Sequence, residues 1–253
     1  MAVKEGKYIY CIVAAGDPKT FGPLGIGGRG DELYTICFDD IEAVVSNSPI
    51  KKYSVSRENL IPHERAIEEV MKTHVVLPVR FATVAEDEEK VKKILEREHD
   101  RFADLLKEIE GKKELGLKAI FKEDVIYKDI LERYKDIKIL KEKIATLPFE
   151  ATYFQRAKIG EMVEAALEKE KEIRKEDILS VLSPLSIKFK INNTYGERMI
   201  INAAFLVEKE KEAEFDQRVQ GLQDKYGEGI KFKYVGTLPP FNFINLTINV
   251  GEY

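Results

Sequence analysis

From residue 115 onward the apolar residues change period in a fixed succession, and that succession constrains the fold more than any other feature of the chain. LGLKAIF (115–121) reads as a strand, 124–147 and 155–182 repeat apolar residues at helical spacing, SIKFKIN and MIINAAFLV are strands, 209–226 is helical, and IKFKYV is a strand again. Strand, helices, strand, strand, helix, strand is a split βαβ order. A sheet connected that way runs 4-1-3-2 in space, so its second and fourth strands are the edges. Those two strands carry one shared pattern, Ile187-Lys188-Phe189-Lys190 and Ile230-Lys231-Phe232-Lys233. Lysines alternating along an edge strand resist pairing with a second sheet. The third strand, Ile200 to Val207, is apolar on both faces and suits a central place.

The first half spells a related order. KYIYCIVAA (7–15) is a strand stopped by Gly16-Asp17-Pro18; a Gly- and Pro-rich stretch follows, and LYTICF and IEAVVS flank Asp39-Asp40 as a tight hairpin. In SVSRENLIPHERAIEEVMKTH, residues His63, Ile67, Val70, Met71 and His74 recur at helical spacing. That helix begins near Ile61, with Pro62 in its first turn, or after a short preceding turn. VVLPVRFATV reads as a strand in which Pro78 forces an edge or a bulge. EDEEKVKKILEREHDRFADLLKEIEG is a long helix with acidic residues in its first turn and Gly111 as its stop. If the Gly-rich stretch replaces a first helix, the two halves share one design. The expected organisation is an N-terminal α+β domain over 1–85, a connecting helix over 86–111, and a C-terminal α+β domain over 112–253 whose last strand packs back on the main body.

Composition narrows the function classes. With 253 residues and 44% hydrophobic content the chain can bury real cores, and 41 basic against 45 acidic residues give a net charge of −4. No strong field attracts a nucleic acid or an anionic membrane, so neither is expected as a partner. There is no apolar run of about 18 residues and no signal-peptide pattern at the N-terminus, which points to the cytoplasm. Cys11 and Cys37 each lie in an apolar strand and read as buried small hydrophobes; two cysteines make no disulfide framework or four-thiolate zinc site.

No complete catalytic constellation emerges. Gly25-Ile26-Gly27-Gly28-Arg29-Gly30 matches G-x-G-x-x-G, but a strand follows it where a dinucleotide site needs a helix, so it reads as a surface loop. His63 and His74 are about three helical turns apart, too far to share a metal, and His99 lies in a charged helix. Neither a metal nor another cofactor is expected, and the chain is read as no enzyme. Two features stand out. His63-Glu64 joined to Leu77-Pro78-Val79-Arg80-Phe81 links a helix to a strand holding one arginine, which needs a carboxylate or carbonyl partner if buried. The second is Leu238-Pro239-Pro240-Phe241-Asn242-Phe243, either a packed closing loop or an exposed docking surface, leading into a last strand FINLTINV whose alternation predicts burial.

These two segments, together with YIYCIV, DDIEAVVS, HERAIEEVMKTHVVLPVRFATV and VGTLPPFNFINLTI, resemble the gas vesicle protein F/L family over nearly the whole chain. The family pattern commonly has Gly where this chain has Ala82, and often Tyr where it has Phe241. The resemblance implies an N-terminal domain of modified ferredoxin-like type followed by a second α+β domain with long helices. It also implies a non-catalytic protein of gas vesicle biogenesis, located in the cytoplasm and at the gas vesicle. Such a protein would act with the small hydrophobic shell protein and other accessory proteins, assist initiation of assembly, and take a place as a minor vesicle component. Leu238, Pro239, Pro240, Phe241 and Phe243 are the candidate partner-binding residues; His63, Glu64, Pro78, Arg80 and Phe81 are read as a structural motif. A second reading, a small-ligand-binding regulatory module, rests on the ferredoxin-like order alone.

Overall fold

The computed structural model of the protein describes residues 4–244 and 246–252. The chain divides into two compact units, Met1–Glu114 with Thr237–Tyr253, and Leu115–Gly236. The expected boundaries differ from this division in two places. The helix expected as a connector lies within the first unit, and so does the end of the chain.

In the first unit, β1 (Glu5–Ala14), β2 (Tyr34–Phe38), β3 (Ile41–Pro49), α1 (Arg57–Met71), β4 (Val76–Pro78), β5 (Val84–Ala85) and α2 (Glu88–Ile109) follow in order. The sheet runs β2-β3-β1-β4, with β5 also paired to β1. Asp39-Asp40 make the two-residue hairpin loop, Asp39 taking φ +53° as such turns require. The register between β1 and β3 slips between Ile9 and Cys11, and the extra residue puts Tyr10 and Cys11 on one face. Tyr8, Tyr10, Cys11 and Val13 therefore pack with Ala66, Ile67 and Val70 of α1 and with Phe21, Ile26 and Leu33 of the Gly-rich segment. Ile9 and Ile12 face the other way, onto Val91, Ile94, Leu95 and Phe102 of α2. That packed stripe is why α2 belongs to this unit. Asp87 caps α2 by accepting from the Lys90 N–H at 2.8 Å.

The Gly-rich stretch is an ordered loop that leads into β2. Ile26 is fully buried, its N–H donates to Tyr10 Oη at 2.7 Å, and Arg29 pairs with Glu5 and Asp31. At Gly25 a Cβ would stand 2.7 Å from the Asp31 side chain, which leaves room for glycine alone. Helix α1 starts earlier than either expected position and keeps Pro62 inside. The Ser56 carbonyl accepts from both Asn59 and Leu60 N–H groups, so the helix is nucleated upstream, and Pro62 leaves only the Glu58 carbonyl without its helical donor.

Three expectations in this unit are corrected. VVLPVRFATV is not one strand: β4 ends at Pro78, the chain turns with Ala82 at φ +66°, and Thr83 Oγ1 donates to the Arg80 carbonyl at 2.7 Å. Arg80 is therefore exposed on a turn, and no carboxylate holds it among the described residues. Cys37 is exposed, unlike Cys11, because its neighbour Ile36 takes the face of β2 that packs on the α2 side and successive side chains of a strand point to opposite faces. Among its described residues FINLTINV forms no regular strand. Leu246 makes one parallel bridge to Val79 and accepts from the Arg80 N–H at 3.2 Å, since a three-residue β4 offers no longer ladder. The segment nevertheless buries Ile244, Leu246 and Ile248 against the α2 side of the sheet; Asn245, part of the expected alternation, lies outside the described residues.

The second sheet comprises β6 (Lys112–Phe121), β7 (Lys188–Ile191), β8 (Met199–Glu208) and β9 (Ile230–Leu238), with α3 (Glu123–Arg133), α4 (Lys135–Ala145), α5 (Tyr153–Leu182) and α6 (Glu212–Tyr226) between them. Its order is β7-β8-β6-β9, so the two lysine-bearing strands are the edges and β8 is central. One core joins Leu117 and Phe121 of β6, Phe205 and Val207 of β8, Ile178 and Leu182 of α5, and Phe215 and Val219 of α6. Buried Glu170 is compensated by Arg133 and Arg174, each at 3.2 Å, and by the Tyr134 hydroxyl. Both halves are thus α+β, and both sheets share the connectivity read from the sequence.

Candidate functional site

In the first unit, α1, the turn after β4 and the returning segment 237–253 converge beside β4, an edge strand. Their side chains enclose a cavity of about 350 Å³ lined by Leu60, His63 and Glu64 of α1, Pro78, Arg80 and Phe81 of the turn, and Phe241, Ile244 and Leu246 of the returning segment. The two segments singled out in the sequence therefore meet at one groove. All five residues read as a structural motif line it, and Phe241 joins them. Pro239 and Pro240 are buried, Leu238 and Phe243 are half-buried, and none of these four lines the cavity. Leu60, Ile244 and Leu246 were not anticipated. Leu60 was legible in principle, since it lies one turn before His63 and Glu64 on the same helix face.

Position 114 holds the mouth of the returning segment in place. Glu114 is buried and accepts from the Asn242 N–H at 3.0 Å and from Asn242 Nδ2 at 2.6 Å. This two-point grip fixes the residue next to Phe241, whose ring stays 39% exposed.

His63 forms the floor of the groove. It is 2% exposed and surrounded by rings: Tyr8 at 5.7 Å, Tyr10 at 5.8 Å, Phe81 at 5.6 Å and Phe241 at 6.2 Å between centroids. Burial pushes its pKa down to about 4, opposed weakly by the Val79 backbone carbonyl, so the imidazole is neutral at physiological pH. Tyr8 Oη accepts from the Ala82 N–H at 2.8 Å and lies 3.2 Å from His63 Nδ1. That hydroxyl bonds Nδ1 as donor or as acceptor according to the imidazole tautomer. Nε2 is buried with no hydrogen-bond partner among the described residues; the Val79 carbonyl is near enough to act on the charge but lacks hydrogen-bond geometry. Burial and then the neighbouring Glu68 raise the Glu64 carboxyl above its ordinary pKa.

Chemically, the groove presents apolar and aromatic walls, a neutral imidazole, one exposed cation and one acid. Its walls suit an apolar group. A larger cavity of about 440 Å³ in the second unit is lined by Arg133, Arg174 and Lys225 among others. Each of those cations already has a carboxylate, Glu170 or Asp177, so its charge is spent within the fold. His99 sits 2.7 Å from Asp40 and 3.0 Å from Asp100; the hydrogen bonds to Asp100 and Asp40 raise its pKa, and the contact ties the β2–β3 hairpin to α2. Among the described residues no helix is long and apolar enough to cross a membrane.

Comparison with known proteins places this architecture. The family described as gas vesicle synthesis protein GvpL/GvpF matches residues 6–245. Gas vesicle protein F of Dolichospermum flosaquae is 27% identical over 94% of this chain and 97% of its own length. Gas vesicle protein F1 of Halobacterium salinarum is 25% identical over 98% of this chain and 97% of its own. The crystal structure of GvpF from Anabaena sp. PCC7120 superposes with a TM-score of 0.80 at 25% identity, covering 96% of this chain and 100% of that one. The turn after β4 is strained at position 82, where Ala82 is held at φ +66°, a conformation that glycine adopts freely and alanine does not. With its two α+β units in the same connectivity and the match spanning nearly its whole length, the chain belongs to the gas vesicle synthesis protein GvpL/GvpF family.

Proposed function

We propose that this protein is a non-catalytic assembly factor that binds the small hydrophobic gas vesicle shell protein, acts with other accessory proteins at the start of assembly, and docks its partner at the groove beside β4. A shell subunit with an apolar face must be kept from unspecific association until it joins the wall. That task calls for a soluble exterior and a confined apolar docking surface. The observation that carries the reading is the groove itself, where Leu60, Phe81, Phe241, Ile244 and Leu246 line one open cavity. Of the proposed partner-binding residues, Phe241 is the one at the rim, while Leu238, Pro239, Pro240 and Phe243 shape the segment that presents it. The partner's apolar side chain fills the groove, and the partner remains associated as the first ribs of the wall form.

The test is capture of purified shell protein by wild type and by Phe241→Ala, at a temperature where circular dichroism shows both folded. Loss of capture by the variant supports the reading. Capture equal to wild type moves the docking site elsewhere on the molecule. In a gas-vesicle-forming cell, deletion of the gene should abolish vesicles in micrographs, and normal vesicles would remove the assembly role.

A further inference from the structure

Resting on the reading of the groove as a docking site, the geometry points to the chemistry of what docks: a segment of a partner polypeptide that inserts an apolar side chain and carries a carboxylate beside it, received by Arg80. The rim has two charged residues. Arg80 and Glu64 both line the cavity, both are exposed, and no ion pair joins them or gives either another partner among the described residues. In the cavity of the second unit, by contrast, Arg133, Arg174 and Lys225 are all matched to carboxylates of their own unit. A guanidinium beside an apolar wall, planar and weakly hydrated, suits a carboxylate arriving with an apolar neighbour.

Glu64 sets the orientation. Its acid stands at the same rim, and a second carboxylate placed beside it would meet a like charge. The acid of the ligand is steered to the Arg80 side, and the Glu64 side favours a base or a hydrogen-bond donor. Between them His63, neutral and buried, adds no charge of its own. The complement is an amphipathic segment with one apolar anchor flanked by opposite charges, with the acid facing Arg80.

The experiment titrates the full-length protein with N-acetyl-phenylalanine, N-acetyl-phenylalaninamide and free phenylalanine, following the amide resonances of Leu60 and Ala82. The acid is expected to bind about fivefold more tightly than the amide, the scale of one rim ion pair. Arg80→Gln should erase that difference, and Glu64→Gln should tighten the acid further. Equal binding of acid and amide, an unchanged preference in Arg80→Gln, or no shift with any probe would overturn the inference. Free phenylalanine binding more than about tenfold tighter than its N-acetyl form would also overturn it, in favour of a free amino-acid site. If shell-protein capture still depends on Phe241 while the preference for acid is absent, the carboxylate inference fails alone; if that dependence is also absent, the docking reading fails with it.

Discussion

The two sheets share one strand order and protect their edges in opposite ways. In the second unit the edge strands β7 and β9 stay open and are guarded by lysines in alternation, with Phe189 and Ile191 of β7 left 45% and 43% exposed. In the first unit the β4 edge is instead covered by the returning segment, which buries Ile244, Leu246 and Ile248 and among its described residues makes a single bridge, at Leu246. Charge keeps an edge apart from everything. A cover of side chains leaves a gap where it stops, and that gap is the groove. On the proposed docking role, an edge closed by packing offers a partner a selective surface that an edge closed by charge does not.

The strongest way to break this comparison is to remove the cover. Leu246→Ala deletes a side chain that is 2% exposed and should destabilise the first unit by about 2–5 kcal/mol, read as faster hydrogen exchange of the β1 and β4 amides. Exchange rates equal to wild type would mean that the returning segment is not part of the unit's core. The expected slope with acid comes next. His63 has its pKa lowered from 6.5 to about 4 in the folded state, so between these values the unfolded chain takes up a proton that the folded chain refuses. Its contribution to stability is therefore complete above pH 6.5 and falls as the pH drops, by a total of about 3 kcal/mol once pH 4 is reached. Urea denaturation across that range, compared between wild type and His63→Phe, should show the steeper decline in wild type; parallel curves would place His63 in contact with water.

Much of this was legible in the sequence, and the physical reason differs by region. Period changes and the paired lysine patterns yielded the order of the second sheet, because edge and central strands face different solvents and carry that difference in every second residue. The meeting of His63, Arg80 and Phe241 could be suspected only as two unusual segments, since their juxtaposition depends on contacts far apart in the chain. Arg80 was misplaced because VVLPVRFATV has strand composition throughout, and nothing but the left-handed backbone at Ala82 announces the turn. The grip of Glu114 on Asn242 had no local signal at all, as both residues look like ordinary polar positions.

Two smaller effects sharpen the contrast. Ala82→Gly relieves the left-handed strain at the turn while adding freedom to the unfolded chain, for a net gain of about 0.5–1 kcal/mol. A loss of stability on thermal denaturation would show that the methyl group packs usefully. Lys188→Thr with Lys190→Thr on β7 should change stability by no more than about 0.5 kcal/mol but increase self-association in sedimentation as the guard is removed. Unchanged sedimentation would mean that these lysines do not protect the edge.

The central claim, that the packed edge docks the partner and the charged edge does not, is tested most directly by calorimetric titration of a soluble form of the shell protein into three folded proteins. These are wild type, the groove variant Leu60→Ala with Phe241→Ala, and the β7 variant Phe189→Ala with Ile191→Ala. The account predicts that the groove variant loses at least about tenfold in affinity, as removal of a buried apolar anchor does, while the β7 variant stays within about twofold of wild type. Wild-type affinity in the groove variant, or a tenfold loss confined to the β7 variant, would contradict it.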